Sequence, residues 1–299
     1  MSALVLLPVP GNESMADRLA AQIHADIGRL ETRRFPDGET YLKIDTDLAR
    51  RDIAIVCTLD HPDDKLLPLI FAADTARDLD AASVGLIAPY LAYMRQDRRF
   101  HPGEAISSRS FARVLSGTLD WLVTIDPHLH RYRSLGELYM IPTRVLHAAP
   151  ALVAWIKQNV AKPILVGPDA ESAQWVSEAA AQIDAPFFVL EKIRNGDRDV
   201  EVCLPAGAVI GDRTPVLLDD TISSGETMLA AVRALRQVTQ TAPYCVAVHG
   251  IFAEDAEAKL ARECARVVST NTIPHETNAI DISALLAAGV ADCLARPTA

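Results

Sequence analysis

Aromatic residues are scarce in this chain, at 5% of 299 residues, and cysteines number only five. Cys57, Cys203, Cys245, Cys264 and Cys293 are scattered, with no Cys-x-x-Cys pair, which argues against a zinc site or a disulfide framework. Several fall in apolar, strand-like runs, where a thiol packs as a small hydrophobe. No apolar run is long enough to span a bilayer. The opening segment, 3–8, is too short for a signal sequence, lacks a basic start and is cut by prolines, so a cytoplasmic location is expected. Basic charge is also in deficit: 29 Lys and Arg stand against 39 Asp and Glu, a net charge of −10. That balance disfavours a general nucleic-acid binder, which needs a basic surface. It is compatible with a nucleotide site, where a few cations suffice.

What is present is ordinary for a globular protein: 49% hydrophobic and 23% charged residues, in a chain long enough for two compact domains. Short apolar runs alternate with helical periodicity, the pattern of an α/β fold with mostly parallel sheets. Strands are expected at 3–7, 53–57, 83–88 and 121–125, with helices at 14–27, 64–78 and 107–115. The second half repeats the rhythm: helices at 149–159, 172–183 and 227–236, and strands at 163–166, 187–190, 216–218, 246–252 and 267–269. Polar residues follow strands at matching places in the two halves, as in Val123-Thr124-Ile125-Asp126 and Leu217-Leu218-Asp219-Asp220. This reads as a duplicated domain: two similar units, 1–144 and 145–299, each a mostly parallel sheet flanked by helices. The stretch after Ile282 is a candidate to pack back on the first.

The most informative segment is Asp219-Asp220-Thr221-Ile222-Ser223-Ser224-Gly225-Glu226-Thr227, between an apolar strand and a helix. A loop that enters a helix aims backbone N–H groups and the positive helix end at an anion, most often phosphate. Ser223, Ser224 and Thr227 add hydroxyl donors, and Gly225 allows close backbone approach. Asp219 and Asp220 repel phosphate but can accept hydrogen bonds from sugar hydroxyls. A phosphate cradle beside a diol acceptor suits ribose 5-phosphate. The plain alternative is a solvated Asp-rich turn.

This loop resembles the phosphoribosyl-binding motif of the type I phosphoribosyltransferase fold, which serves transferases that consume phosphoribosyl pyrophosphate (PRPP) and the pyrophosphokinases that make it. A second segment separates the two classes. Pro89-Tyr90-Leu91-Ala92-Tyr93-Met94-Arg95-Gln96-Asp97-Arg98-Arg99-Phe100 concentrates cations suited to polyphosphate around an amide and a carboxylate. It resembles the ATP signature of ribose-phosphate pyrophosphokinases, which ordinary phosphoribosyltransferases lack.

The resemblance runs from the first strand to about Ile282 and implies a role for several further residues. Phe35, Asp37, Gly38 and Glu39 are similar to the family's second ATP element, on a hairpin lent by a neighbouring subunit; from the residues alone they make only a turn. With Arg95, Gln96 and Asp97 they would form the ATP site. His128, in Asp126-Pro127-His128-Leu129-His130, matches the histidine that contacts Mg-ATP, whereas His130 has no counterpart. Asp169 matches a metal-associated aspartate, so His128 and Asp169 are the implied metal ligands and Mg²⁺ the implied cofactor. Lys192 and Arg194 match the catalytic Lys-x-Arg pair of a loop that closes over the transferring group. Ser269-Thr270-Asn271-Thr272-Ile273-Pro274 also resembles a family segment.

The activity so implied is transfer of pyrophosphate from ATP to ribose 5-phosphate, giving PRPP and AMP, in nucleotide biosynthesis. Arg194, Asp219, Asp220, Ser223, Ser224, Gly225, Glu226 and Thr227 would hold the sugar phosphate. The implied assembly is a homo-oligomer with a shared ATP site and neither a nucleic-acid nor a membrane partner. The chain departs from the commonest bacterial pattern at Ser223, where many members carry Asp, and at Glu226, where they carry a small residue. Glu226 is expected to point away from the phosphate. Glu171-Ser172 replaces a Gly pair, and the runs 99–104 and 127–131 look closer to archaeal-type members. Two other readings stay open: a phosphoribosyltransferase that consumes PRPP, and a catalytically silent regulatory homologue.

Overall fold

The computed structural model describes residues 4–129, 131–194 and 200–295, with the side chains at 174, 192–194, 200 and 201 excepted. The chain divides into two compact units. One runs to His147 and takes back the chain from Ser283 onward; the other is Ala148–Ile282.

The first unit is built on β1 (Leu4–Pro8), α1 (Glu13–Ile23), β2 (Asp26–Ile27), β3 (Leu30–Arg34), β4 (Thr40–Ile44), β5 (Asp52–Val56), α2 (Pro62–Asp78), β6 (Ser83–Ala88), α3 (Ser107–Thr118), β7 (Trp121–Ile125) and β8 (Thr143–Leu146). Its parallel six-stranded sheet has the order β2-β1-β5-β6-β7-β8, and β3 and β4 form a separate antiparallel hairpin. The strands are near-continuous apolar runs because helices cover both faces: Val5, Leu7, Ile53, Ile55, Leu86 and Leu122 are fully buried.

The second unit comprises α4 (Ala149–Asn159), β9 (Pro163–Gly167), α5 (Ala173–Ile183), β10 (Phe187–Val189), β11 (Glu191–Arg194), β12 (Val200–Cys203), β13 (Thr214–Ile222), α6 (Glu226–Arg236), β14 (Tyr244–Gly250), α7 (Ala256–Glu263), β15 (Arg266–Thr270) and β16 (Asn278–Ile280). Its sheet order, β10-β9-β13-β14-β15-β16, repeats that of the first, and its hairpin, β11–β12, falls at the same place between the second and third sheet strands. Val166, Leu217, Val232, Leu235 and Leu260 fill its core.

The last helix, α8 (Ser283–Leu294), belongs to the first unit. Gln22 Nε2 donates to Ser283 Oγ at 2.8 Å. A Cβ at Gly289 would lie 2.7 Å from Leu146 Cδ1, so glycine sets how closely α8 meets the sheet. Among the described residues, no helix is long and apolar enough to cross a membrane.

Three expectations need correction. The helix expected at 14–27 ends at Ile23, where His24 turns left-handed (φ 52°) and frees Asp26–Ile27 to pair with β1. The strand expected at 216–218 runs on to Ile222, because the long neighbour β14 keeps pairing with it, Thr221 to His249 and Ile222 to Gly250. Glu191–Arg194, read as the opening of a polar loop, is a strand paired with β12; residues 195–199 lie outside the described residues.

Candidate active site

In an open parallel sheet with this order, ligands bind beyond the strand carboxyl ends where neighbouring connections diverge. In the second unit that point lies between β9 and β13, which pair in parallel up to Leu217 with Val166. Asp219 and Asp220 follow on β13, and Pro168-Asp169 follows β9. Asp219 is half-buried, and its Oδ1 accepts a hydrogen bond from the Asp220 N–H at 3.0 Å. Burial, the charge of Asp220 and the charge of Asp169 push the Asp219 carboxyl up from its ordinary 3.8 to about 8. Sequence separates Asp169 from Asp219 by fifty positions; the parallel pairing of β9 with β13 brings their charges within reach of each other.

Past Ile222 the chain makes a short turn, Ser223-Ser224-Gly225, into α6. Gly225 is left-handed (φ 75°), and its carbonyl accepts from Leu229 N at 2.8 Å to start the helix. Its back is closed by α7: a Cβ there would stand 3.3 Å from Ala256 Cβ. The Ser223 carbonyl accepts from Ala253 N at 3.0 Å. Ser224 and Thr227 are exposed, so donors line the helix entrance. Glu226 is exposed too, and its charge is among those raising the Lys259 ammonium above its ordinary range, after the larger effect of Asp255. Asp169 caps the turn after β9, accepting from Glu171 N at 3.1 Å, and Ser172 Oγ donates to its carbonyl at 2.6 Å. Lys192 and Arg194 lie in β11, opposite Val202 and Val200; their side chains are outside the described set.

The first unit carries the other candidates. Phe35, Asp37, Gly38 and Glu39 form the exposed tip of the β3–β4 hairpin, closed by Phe35 N donating to the Glu39 carbonyl at 2.8 Å and by a left-handed Gly38 (φ 93°). Arg33 lies over the Phe35 ring at 4.7 Å and the Tyr41 ring at 4.1 Å, and so fixes the aromatic. Beyond β6, Arg95 is exposed and Gln96 half-buried. Asp97 is 6% exposed and takes Arg131 Nη1 on both oxygens, at 2.8 and 3.0 Å. His128 is half-buried just past β7. Nearby, His147 Nδ1 lies 2.7 Å from Asp126 Oδ1.

Sequence reasoning missed several polar contacts around these residues. Arg131 and Tyr132 hold Asp97, and Tyr132 OH donates to the Asp97 carbonyl at 3.2 Å. Buried His249, beside Thr221 across β13–β14, pairs its Nδ1 with Thr272 Oγ1 at 2.9 Å. Thr270, Thr272 and Asn278 extend that network. The run 269–274 was the only signal for it. Among the described residues, no three of His, Cys, Asp and Glu gather as a metal-ligating set.

Two parallel α/β units of one topology, the second with a glycine-started phosphate-type loop beside paired carboxylates, define a doubled phosphoribosyltransferase-type fold. Residues 4–118 match the family model for the N-terminal domain of ribose phosphate pyrophosphokinase, and residues 134–285 match the phosphoribosyl transferase domain. The chain is 30% identical to a ribose-phosphate pyrophosphokinase of Thermoplasma acidophilum, covering 93% of this chain and 95% of that protein. It is 32% identical to the enzyme of the same name from Thermoplasma volcanium, over 90% and 92% of the two chains. The crystal structure of phosphoribosylpyrophosphate synthetase from Mycobacterium smegmatis superposes with a TM-score of 0.86, at 22% identity, over 98% of this chain and 99% of that one, a likeness of fold. The chain belongs to the ribose-phosphate pyrophosphokinase family.

Proposed function

We propose that this protein transfers the pyrophosphoryl group of ATP to the anomeric hydroxyl of ribose 5-phosphate, releasing AMP. The observation that carries the reading is the Asp219–Asp220 pair late in β13, followed after Thr221, Ile222 and a short Ser223–Ser224 turn by a left-handed glycine that opens α6. Family membership supports it, and so does the presence of both the nucleotide-type segment at 95–97 and the sugar-phosphate-type loop. A phosphoribosyltransferase consuming PRPP would need only the loop.

The sugar phosphate is assigned to the second unit. Backbone N–H groups and hydroxyls of Ser223, Ser224, Gly225 and Thr227 receive the 5-phosphate, with Glu226 turned outward, and Asp219 and Asp220 accept from the ribose hydroxyls. The nucleotide is assigned to Arg95, Gln96 and His128, with Phe35, Asp37, Gly38 and Glu39 contributed from a neighbouring copy in a homo-oligomer. The anomeric oxygen bonds to the β-phosphorus and gives up its hydroxyl proton to solvent, the α–β phosphoanhydride bond breaks, and AMP leaves with the electron pair. Lys192 and Arg194 supply charge for the group in transfer. Positioning and charge neutralisation carry such a reaction, with little covalent help from the protein.

The residues present fit a Mg²⁺ ion. Asp169, Asp219 and Asp220 converge here, and burial together with the charges of Asp220 and Asp169 pushes the Asp219 carboxyl up, a concentration of acidic groups that a bound cation would relieve. Mg²⁺ uses one or two carboxylates and completes its shell with water and phosphate oxygens. Asp169 and His128 are the proposed contacts. When bound, the ion screens the phosphate oxygens and polarises the phosphorus under attack.

The test is AMP release from ATP and ribose 5-phosphate, with and without Mg²⁺, repeated with GTP and CTP. AMP formation that depends on both substrates and the metal supports the reading. PRPP consumption in the presence of a nucleobase, without AMP release, would favour the transferase instead.

A further inference from the structure

Segment 95–100 carries three arginines, a glutamine, an aspartate and a phenylalanine, and most of these are already engaged within the first unit. Asp97 is buried against Arg131, whose Nη1 reaches both carboxylate oxygens at 2.8 and 3.0 Å. Tyr132 OH donates to the Asp97 carbonyl at 3.2 Å, and Arg109 Nε donates in turn to Tyr132 OH at 3.3 Å. The Phe100 ring lies beneath Arg98 at 4.8 Å and Arg131 at 5.9 Å. Arg99 Nε donates to the Glu104 carbonyl at 2.9 Å, and Glu104 Oε2 accepts from the backbone N–H groups of Phe100 and His101 at 2.7 and 3.0 Å. Arg95 differs. It is exposed and has no hydrogen-bond or ion-pair partner among the described residues.

We infer that Arg131 is the positioning residue of this segment: by neutralising the buried Asp97 it holds 95–100 in the shape that turns Arg95 outward for a polyphosphate. Asp97 is thereby a tether and not a ligand of the nucleotide. Its carboxylate is turned inward, and an anion presented to phosphates would repel them. Arg131 also stands three positions after His128, so one short stretch of chain carries a proposed nucleotide contact and the anchor of the arginine segment. A buried carboxylate stripped of its cation is costly and must either take up a proton or pull the segment toward solvent. Either response moves Arg95. Removing the carboxylate as well removes the conflict.

This inference rests on the nucleotide assignment made above, and its primary measurement, ATP affinity by calorimetry with Mg²⁺ and no sugar phosphate, does not require turnover. Wild type is compared with Arg131→Gln, Arg131→Lys, Asp97→Asn and the double variant Arg131→Gln/Asp97→Asn. Arg131→Gln should weaken ATP binding roughly tenfold, a discount on the cost of a fully buried broken pair because Arg131 is partly exposed. Arg131→Lys should fall between, and the double variant should recover most of the loss. Ribose 5-phosphate affinity should stay within about twofold of wild type throughout, since its site lies on the other unit.

The inference is overturned if both substrates weaken together, or if the melting temperature of Arg131→Gln falls while its ATP affinity holds. It is also overturned if Asp97→Asn deepens the loss. Should Arg131→Gln fail to fold, the ATP affinities of Arg131→Lys, Asp97→Asn and the double variant decide: an impaired Lys variant beside a near-normal double variant upholds the inference, and the reverse sinks it. Wild type that binds ATP but releases no AMP with ribose 5-phosphate would refute the proposed reaction while leaving this comparison intact. Wild type that does not bind ATP refutes both.

Discussion

Asp219 Oδ1 accepts the backbone N–H of its own neighbour, Asp220, at 3.0 Å, yet the carboxyl is still pushed up to about 8 by burial and by the charges of Asp220 and Asp169. One hydrogen bond does not offset two nearby carboxylates at a half-buried strand end. The site therefore stores a repulsion that ligand hydroxyls or a cation would relieve.

That repulsion has a pH signature. A carboxyl whose folded value, about 8, exceeds its unfolded value, 3.8, binds more protons in the folded protein, so its contribution to stability is lost as pH rises between those values. Asp219→Asn removes the titration. In EDTA the variant should match wild type near pH 4 and melt several degrees higher above pH 8. Melting curves that track each other at every pH would assign the repulsion no thermodynamic weight.

The same carboxylates should read the sugar. Asp219→Asn with Asp220→Asn is expected to weaken ribose 5-phosphate binding by tenfold or more, from the loss of charge-assisted bonds worth about 1.5–3 kcal/mol each. ATP binding should change little. Calorimetry that finds both ligands weakened equally would point to a structural role.

Gly225 tests the cradle behind the phosphate. Its φ of 75° and the 3.3 Å approach of a Cβ to Ala256 leave no easy place for a methyl group. A left-handed alanine alone costs about 1–2 kcal/mol. Gly225→Ala should lower the melting temperature and weaken binding of inorganic phosphate or ribose 5-phosphate. Unchanged affinity for both would mean that the turn does not receive the phosphate.

Lys192→Ala should reduce turnover roughly a hundredfold or more, with ribose 5-phosphate affinity preserved, if its charge acts in the transition state. A raised KM for the sugar with an intact kcat would move Lys192 from chemistry to binding.

The exposed hairpin tip at Phe35 and Glu39 leads to a test of assembly. Lys192→Ala protomers and Phe35→Ala/Glu39→Ala protomers, each inactive alone, should regain activity when mixed, because one mixed site would hold both intact halves. Heterodimers that form without recovering activity, or a verified monomer at full rate, would refute a shared site.

Much of the scaffold is readable in the chain. The strands expected at 83–88 and 121–125 and the helix at 149–159 coincide with β6, β7 and α4, because buried parallel strands are unbroken apolar runs and amphipathic helices are periodic. The elements not anticipated are short or polar. β2 has two residues; β8, Thr143–Leu146, is half polar and closes a sheet edge; α7, Ala256–Glu263, is charged at half of its positions. Local pattern is weakest where an element owes its existence to a neighbour.

The site divides in the same way. The sequence alone determined which residue types stand together in the chain: two carboxylates before hydroxyls and a glycine at 219–227, three arginines around an amide and a carboxylate at 95–99, an aromatic turn at 35–39. Those pairings depend on adjacent positions and survive any arrangement of the rest. Tertiary structure decided which of those groups act on one another. Strand order set Asp169 beside Asp219, where its charge adds to burial and Asp220 in raising the affinity of Asp219 for a proton; the pairing with β14 carried β13 past its apolar run; and the return of Arg131 to Asp97 paired a buried carboxylate with a cation from another segment. Charges separated by tens of residues interact only when the sheet brings them within a few ångströms, and no local pattern encodes that distance.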